Sequence, residues 1–593
     1  MKGEFSRYRM YVLVIVAILM LLPLRAWAQT TFTDSSVSAS GAQQPRIFFT
    51  DLTSGPNVGG AYNNGTILTI YGNRFGPARG HSSVTVGGRP VADYQLWSDT
   101  KVSVAIGSSA ATGEVIVRTP IGSSNGAPFT VRPGHIFCVS TRGNDNSSGI
   151  FPRQCWATLV KAKNTMVAGD ITYAMDGVTQ TTLDGAKAAL LINTSGAKGL
   201  PIALVAYPGA RVNIGIPTWG DPNSAVRDAI RASSSGVTNN WVIAGMHIQG
   251  IQAMDFAGTH PGSNDQWRFV GNDLTCPNGS SEMPKGYNSD YGYEGYGCVI
   301  STYLTNSAVL GNDIHDTGTH CAAGLSSNGG NGDDACKLYH AVYFGTDSDH
   351  LEVGWNQIVP NGGGCRALQF HSTNGNDQYD LIVHDNVIHD SVCDGINFAT
   401  VDPSQGPVEA YNNVIYNAGT GPDPGGVYAN YSCIYSGDET DAGSAGSGNI
   451  NIFDNTLYNC GANHPTNSAA IAKGGSVPTL RMNLRNNIVS QRDSEIYVMT
   501  YSPTPAAQIT GVNNLWYGVG PATVGCSLEN NFDADPQFLN LSRYDFHLLP
   551  DSPAIGVGAP ISGLVTDIDG VPRPPKPSLG AYEGFHGLEM SGR

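Results

Sequence analysis

An asparagine followed two residues later by an aliphatic side chain recurs eight times between residues 270 and 515, and this repeat restricts the fold more than any other feature of the chain. The first three examples are Val270-Gly271-Asn272-Asp273-Leu274, Leu310-Gly311-Asn312-Asp313-Ile314 and Gly354-Trp355-Asn356-Gln357-Ile358. The others are centred on Asn386, Asn413, Asn455, Asn486 and Asn513, so successive asparagines lie 40, 44, 30, 27, 42, 31 and 27 residues apart. A period of this length marks a solenoid, with one coil taking 27 to 31 residues and three coils carrying insertions. Between the repeats are short apolar runs and turns with no helical periodicity, which favours a right-handed parallel β-helix over a leucine-rich or α-helical solenoid. In such a coil the asparagines would stack at the ~4.8 Å spacing of neighbouring strands, each amide bonding the next. Their expected role is structural.

The first 28 residues have Lys2, Arg7 and Arg9, an apolar run from Met10 to Leu24, and Ala26-Trp27-Ala28, the pattern of a signal peptide. The run is shorter than the ~20 residues needed to span a bilayer, so a secreted protein (extracellular or periplasmic) with no membrane segment after cleavage is expected. Residues 29–45, rich in Ser, Thr, Gln and Ala, read as a disordered leader. The net charge is −16 and only 13% of residues are charged, a balance that excludes nucleic acid as a partner. Eleven cysteines suit an exported, disulfide-bonded chain and leave at least one thiol over. Cys138 with Cys155 and Cys321 with Cys336 bracket Gly/Asn/Ser-rich excursions and are the expected pairs. No CxxC spacing suggests structural zinc.

Residues 46–132 alternate β-prone runs with turns: 66–71, Ser83-Val84-Thr85-Val86, Lys101-Val102-Ser103-Val104 and Glu114-Val115-Ile116-Val117. With Gly72-Asn73-Arg74-Phe75-Gly76 after its first run, this module resembles the IPT/TIG domains, immunoglobulin-like β-sandwich units that occur beside secreted carbohydrate-active domains. From residue 135 to 585 the chain resembles bacterial right-handed β-helix proteins, polysaccharide lyases among them. That resemblance rests on His135-Ile136-Phe137-Cys138-Val139-Ser140-Thr141-Arg142-Gly143-Asn144-Asp145 at the start, and on Asp535-Pro536-Gln537-Phe538 and Leu579-Gly580-Ala581-Tyr582-Glu583 at the end. It implies the fold strongly and the chemistry weakly, because the scaffold hosts lyases, hydrolases and adhesins.

A second strand recurs in each coil, aligning His340-Ala341-Val342-Tyr343-Phe344 with Arg366-Ala367-Leu368-Gln369-Phe370 and Asp394-Gly395-Ile396-Asn397-Phe398. Alternation points Val342, Leu368 and Ile396 inward and Tyr343, Gln369 and Asn397 outward as a substrate-binding column. His340, Arg366 and Asp394 reach the same side only from a bend before the strand, where they are expected. With His371, Lys337 and Tyr339 they supply bases, a guanidinium and a carboxylate suited to a uronic-acid polysaccharide: Arg on the sugar carboxylate, His, Tyr or Lys taking the adjacent proton in β-elimination.

Glycoside hydrolysis is the alternative, pairing Asp394 with Asp438 or Glu439, and a non-enzymatic glycan-binding surface protein is the third reading. Tyr287, Tyr291, Tyr293 and Tyr296 would stack on sugars or pack within their own loop. Asp333 and Asp334 are candidate calcium ligands, with solvated loop charge the competing reading. A monomer is expected.

Overall fold

The computed structural model describes residues 43–584, apart from 217–225, 233–235, 277–296, 318–339, 361–364, 374, 376–377, 422–429, 438–445, 463, 465–466, 476–477 and 502–507. The signal peptide, nearly all of the leader, the Cys321–Cys336 pair and the four loop tyrosines therefore lie outside the described residues.

Residues 46–131 form two facing sheets. One has the order Arg46–Thr50, Ile67–Asn73, Lys101–Ala105, Asp93–Trp97, and the other is built on Ala127–Val131, Gly113–Thr119 and Ser83–Val86. Alternate residues of these strands, including Leu68, Ile70, Val84, Val86, Val102, Val104, Val115 and Val117, are buried between the sheets. This is the β-sandwich expected from the spacing of the β-prone runs.

From Ile136 the chain winds into three parallel sheets, each strand pairing with its counterpart one coil on. The architecture is a right-handed parallel β-helix. The first sheet runs from Ile136–Val139 to Ile509–Val512, the second from Thr179–Gln180 to Phe532–Asp533, and the third from Ala188–Ile192 to Thr523–Val524. One continuous apolar core fills the bore, including the stacked rings of Phe344, Phe370 and Phe398 on the inner side of the third sheet.

The asparagine ladder occupies the corner between the first and second sheets. Asn272 Nδ2 donates to Asn312 Oδ1 at 3.0 Å, and the chain of amides continues through Asn356, Asn386, Asn413, Asn455, Asn487 and Asn514 to a ninth rung, Asn531. Each rung's Oδ1 also accepts the backbone N–H of the rung before it, so the column satisfies the corner peptides of the solenoid.

The rungs of the last two expected repeats are Asn487 and Asn514, one residue later than the sequence pattern suggests. Asn486 and Asn513 are the left-handed residues before the rungs, with φ of 56° and 60°, the place held by Gly271 and Gly311 in earlier coils. Asparagine tolerates that conformation and also makes the best rung, so an Asn-Asn pair reads equally well in either register.

The outer faces of two sheets are covered by the protein itself. The sandwich shares an apolar cluster with outward residues of the first sheet, among them Tyr173, Val205, Val270 and Leu310. The Tyr173 hydroxyl donates to the Ile67 carbonyl at 2.8 Å. A Cβ on Gly311 would lie 2.2 Å from the Phe49 ring and one on Gly271 2.3 Å from the Tyr71 hydroxyl, so glycine is required at both corners by the closeness of the sandwich as well as by φ. Trp355 holds the same left-handed corner, φ 55°, and its indole packs on Phe48 and Phe49 at 5.9 and 5.2 Å. The closing segment packs Phe546, Leu548, Ala554 and Leu579 against Val414, Ile488 and Leu515 of the second sheet.

Among the described residues four disulfides join Cys138–Cys155, Cys276–Cys298, Cys365–Cys393 and Cys433–Cys460. Such crosslinks fit a protein of an oxidising, extracellular environment. Among the described residues no helix is long and apolar enough to cross a membrane.

Candidate functional site

The third sheet carries a polar column on its outer side. Strand register sets Tyr343 beside Gln369 and Gln369 beside Asn397, with Val342, Leu368 and Ile396 in line on the inner side, which is the alignment expected from sequence. In the same register, Arg231, Asp255 and Ile300 precede Tyr343, and Tyr435 follows Asn397.

The residue three positions earlier joins its strand mate on the outer side. His340 stacks on the Tyr343 ring at 5.7 Å, Arg366 Nη1 donates to Gln369 Oε1 at 3.1 Å, and Asn397 Nδ2 donates to Asp394 Oδ2 at 3.4 Å. A small residue and a buried aliphatic one, Ala367-Leu368 or Gly395-Ile396, bridge the second and third pairs across a bend, which places an i,i+3 pair on one face of a structure with period two. Arg366 and Asp394 sit in the assumed bend, ahead of strands that begin at Leu368 and Ile396, whereas His340 is itself the first residue of the strand His340–Phe344.

These pairs are linked to one another. Arg366 Nε donates to Asp394 Oδ2 at 2.8 Å, and Asp394 Oδ1 accepts the Ser432 backbone N–H at 2.8 Å. The Arg366 guanidinium also lies 5.9 Å from the centroid of the Tyr431 ring. Burial raises the Asp394 pKa above the usual carboxylate range, and the charge and hydrogen bond of Arg366 oppose that rise. In the next pair, the Tyr343 hydroxyl lies 2.8 Å from His371 Nδ1.

Two expectations change. Tyr343, Gln369 and Asn397 do not project freely into solvent: they are 8%, 5% and 0% exposed. His340 is buried, and its Nδ1 accepts the Arg366 backbone N–H at 3.1 Å. Burial, then the charges of Arg366 and His371, depress its pKa well below the ordinary imidazole value. The ring is thus neutral with its proton on Nε2, a hydrogen-bond donor and a poor base. Arg366 and His371 are half-buried and form the accessible part of the cluster. Lys337, Tyr339, Asp333, Asp334, Asp438 and Glu439 lie outside the described residues. Among the described residues no group of three His, Cys, Asp or Glu side chains is arranged to hold a metal ion.

Asn397 Oδ1 and Ser432 Oγ are buried atoms of the cluster with no hydrogen-bond partner among the described residues. The Asn397 amide nitrogen faces Asp394, which fixes its oxygen as the unsatisfied end. Sequence reasoning missed the upper part of the column, Asp228, Arg231, Gln252 and Asp255. The signal was present, since Asp228-Ala229-Ile230-Arg231 and Gln252-Ala253-Met254-Asp255 share the polar, small, apolar, polar pattern of His340-Ala341-Val342-Tyr343 and Arg366-Ala367-Leu368-Gln369.

No curated protein matches the chain. Solved structures similar to it include pectate lyase Pel9A, 13% identical, covering 76% of this chain and 96% of that one with a TM-score of 0.42. A rhamnogalacturonan lyase is 14% identical over 68% of this chain and 91% of its own, TM-score 0.37. The catalytic unit of a GH87 alpha-1,3-glucanase from Streptomyces thermodiastaticus is 12% identical over 76% and 85%, TM-score 0.37. Residues 52–144 match the IPT/TIG domain. The chain thus joins a module similar to the IPT/TIG family to a right-handed parallel β-helix.

Proposed function

We propose that the protein is a secreted polysaccharide lyase that cleaves a uronic-acid-containing polymer by β-elimination at the outer face of the third sheet. The observation that carries this reading is the hydrogen-bonded Tyr343–His371 pair, one strand from a guanidinium: with His371 Nδ1–H given to the Tyr343 oxygen, His371 Nε2 can accept a proton and the Tyr343 hydroxyl can donate one. In the proposed reaction His371 takes the proton on the carbon next to the sugar carboxylate. The C–O bond to the leaving sugar then breaks as the C=C double bond forms, and Tyr343 delivers a proton to the departing oxygen. Because Asp394 balances the charge of Arg366, the guanidinium acts on the sugar carboxylate through directed N–H donation rather than net charge. Asn397 Oδ1 supplies an acceptor for a sugar hydroxyl. His340 is assigned a positioning role, holding Tyr343 by stacking. An active column that repeats coil after coil also suits a chain-like substrate.

Incubation with a panel of polyuronates tests the reaction: an unsaturated product should absorb near roughly 235 nm. New reducing ends without that absorbance would show hydrolysis and overturn the lyase assignment, and binding without either signal would show a glycan-binding protein.

A further inference from the structure

The outer column of the third sheet begins well before the Tyr343 strand. Asp228 and Gln252 sit beside each other in register, as do Arg231 and Asp255. Arg231 Nη1 lies 3.2 Å from both the Asp228 and the Asp255 carboxylates, and Arg227 clasps Asp228 through Nε at 2.7 Å and Nη2 at 2.9 Å. Two guanidinium groups and two carboxylates leave the cluster without excess positive charge. Burial, then the neighbouring Asp228, raises the Asp255 pKa far above the usual carboxylate range.

Two buried polar atoms in this cluster have no partner among the described residues: Gln252 Oε1, on a side chain only 2% exposed, and Arg231 Nε. An unsatisfied buried carbonyl is costly, and a pair of adjacent strands that carries both an unsatisfied carbonyl and an unsatisfied N–H is complementary to a group that both donates and accepts. A hydroxyl does both, whereas a carboxylate only accepts and would face Asp228 and Asp255. Between this cluster and Tyr343 lies one coil with Gly297 and Ile300 at the equivalent positions, a small apolar step.

We infer that Arg231, Gln252 and Asp255 form a second saccharide subsite, which takes a neutral, hydroxyl-bearing unit of the polymer whose uronate lies at Arg366, so that the polymer runs along the solenoid axis. This rests on the proposed polysaccharide reading. From the Asp255 strand to the Gln369 strand is three coils, about 14 Å at ~4.8 Å per coil.

The test uses the full chain and calorimetric titration with two sets of probes. Oligosaccharides of glucuronoxylan and rhamnogalacturonan mix neutral and uronate units, and galacturonate and glucuronate disaccharides are too short to bridge three coils. Gln252→Leu should weaken a mixed oligosaccharide about tenfold, the cost of one missing hydrogen bond to a buried site, and leave disaccharide binding within about twofold. It should also hold or raise the thermal midpoint, since it removes an unsatisfied carbonyl. Arg366→Ala should abolish disaccharide binding.

If Gln252→Leu leaves mixed-oligosaccharide affinity unchanged, or lowers the midpoint, the subsite is refuted whatever Arg366→Ala does. If Gln252→Leu weakens binding and Arg366→Ala does not, the subsite stands and the uronate reading at Arg366 falls. A wild-type protein that binds neither set of probes overturns both.

Discussion

Arg366 and Asp394 are 2.8 Å apart as an ion pair, and the residues immediately before them, Cys365 and Cys393, are disulfide-bonded to each other. The crosslink fixes the separation of two adjacent coils at the point where the candidate site needs it fixed. A second disulfide, Cys433–Cys460, follows Ser432, whose backbone N–H holds the other oxygen of Asp394. Rigid covalent support of this kind keeps a charged pair oriented at low exposure.

Asp394→Leu should cost about 3–5 kcal/mol, because it removes the carboxylate paired with Arg366 at 2.8 Å in a site where the guanidinium side chain is only 17% exposed. The double variant Arg366→Met with Asp394→Leu should recover most of that loss. Urea denaturation of the three proteins measures it, and equal losses in single and double variants would show that the pair is not coupled.

The ladder predicts a gradient. Asn386 is fully buried, accepts from Asn356 twice, and donates to Asn413 Oδ1 and the Val353 carbonyl. Asn386→Ala should therefore cost at least about 3 kcal/mol, with several corner groups left unpaired, whereas Asn531→Ala at the half-buried terminal rung should cost only about 1 kcal/mol. Thermal unfolding that ranks the two variants equally would contradict a continuous ladder.

The solenoid was legible because its repeat is local: each coil restates the same corner, and a spacing of 27 residues between Asn386 and Asn413 needs no tertiary knowledge. The alignment of the His340, Arg366 and Asp394 strands was legible for the same reason. What escaped was non-local or degenerate. Asn486 and Asn513 were one residue off because asparagine suits both adjacent positions of the corner. The Cys365–Cys393 and Cys433–Cys460 pairs are one coil apart, at 28 and 27 residues, and become visible only when cysteines are placed on the coil rather than along the chain. Packing of the sandwich on the first sheet was hidden because Tyr173, Val205 and Val270 look like ordinary apolar strand residues until the inner and outer faces are known. The depressed basicity of His340 depends on its burial and on the charges of Arg366 and His371 brought beside it by the fold.

Gly311→Ala and Gly199→Ala separate backbone strain from domain packing. Both glycines have positive φ, 61° and 75°, but a Cβ on Gly199 meets nothing within 4 Å while one on Gly311 strikes Phe49. Gly199→Ala should cost about 1 kcal/mol. Gly311→Ala should cost clearly more and shift the near-ultraviolet dichroism of Trp355, which packs on the same Phe49 ring. Equal costs without a spectral change would mean that the sandwich does not sit on this corner in solution.

Stability should also fall on the alkaline side of neutrality. Burial alone would lower the His384 pKa, but hydrogen bonds to Asp385 and Glu352 outweigh it and hold the value up to about 9, and His547 is held at about 9 in the same way by Asp569 and Asp545. A folded pKa above the unfolded value of about 6.5 stabilises fully below pH ~6.5, and this contribution is lost as pH rises through about 9. Each histidine should contribute on the order of 1–3 kcal/mol to that decline. His384→Gln should flatten the pH dependence of the denaturation midpoint, and an unchanged slope would refute the assignment.

The central claim is that the chemistry happens beside Arg366 on the third sheet, and the turnover of His371→Ala on whichever polyuronate the wild type cleaves tests it most directly. His315→Ala, on the second sheet, is the matched control. Loss of the proton acceptor should lower kcat by about 10²–10⁴-fold while the control stays within about twofold of wild type. Full activity in His371→Ala, or an equal loss in both variants, would contradict the account.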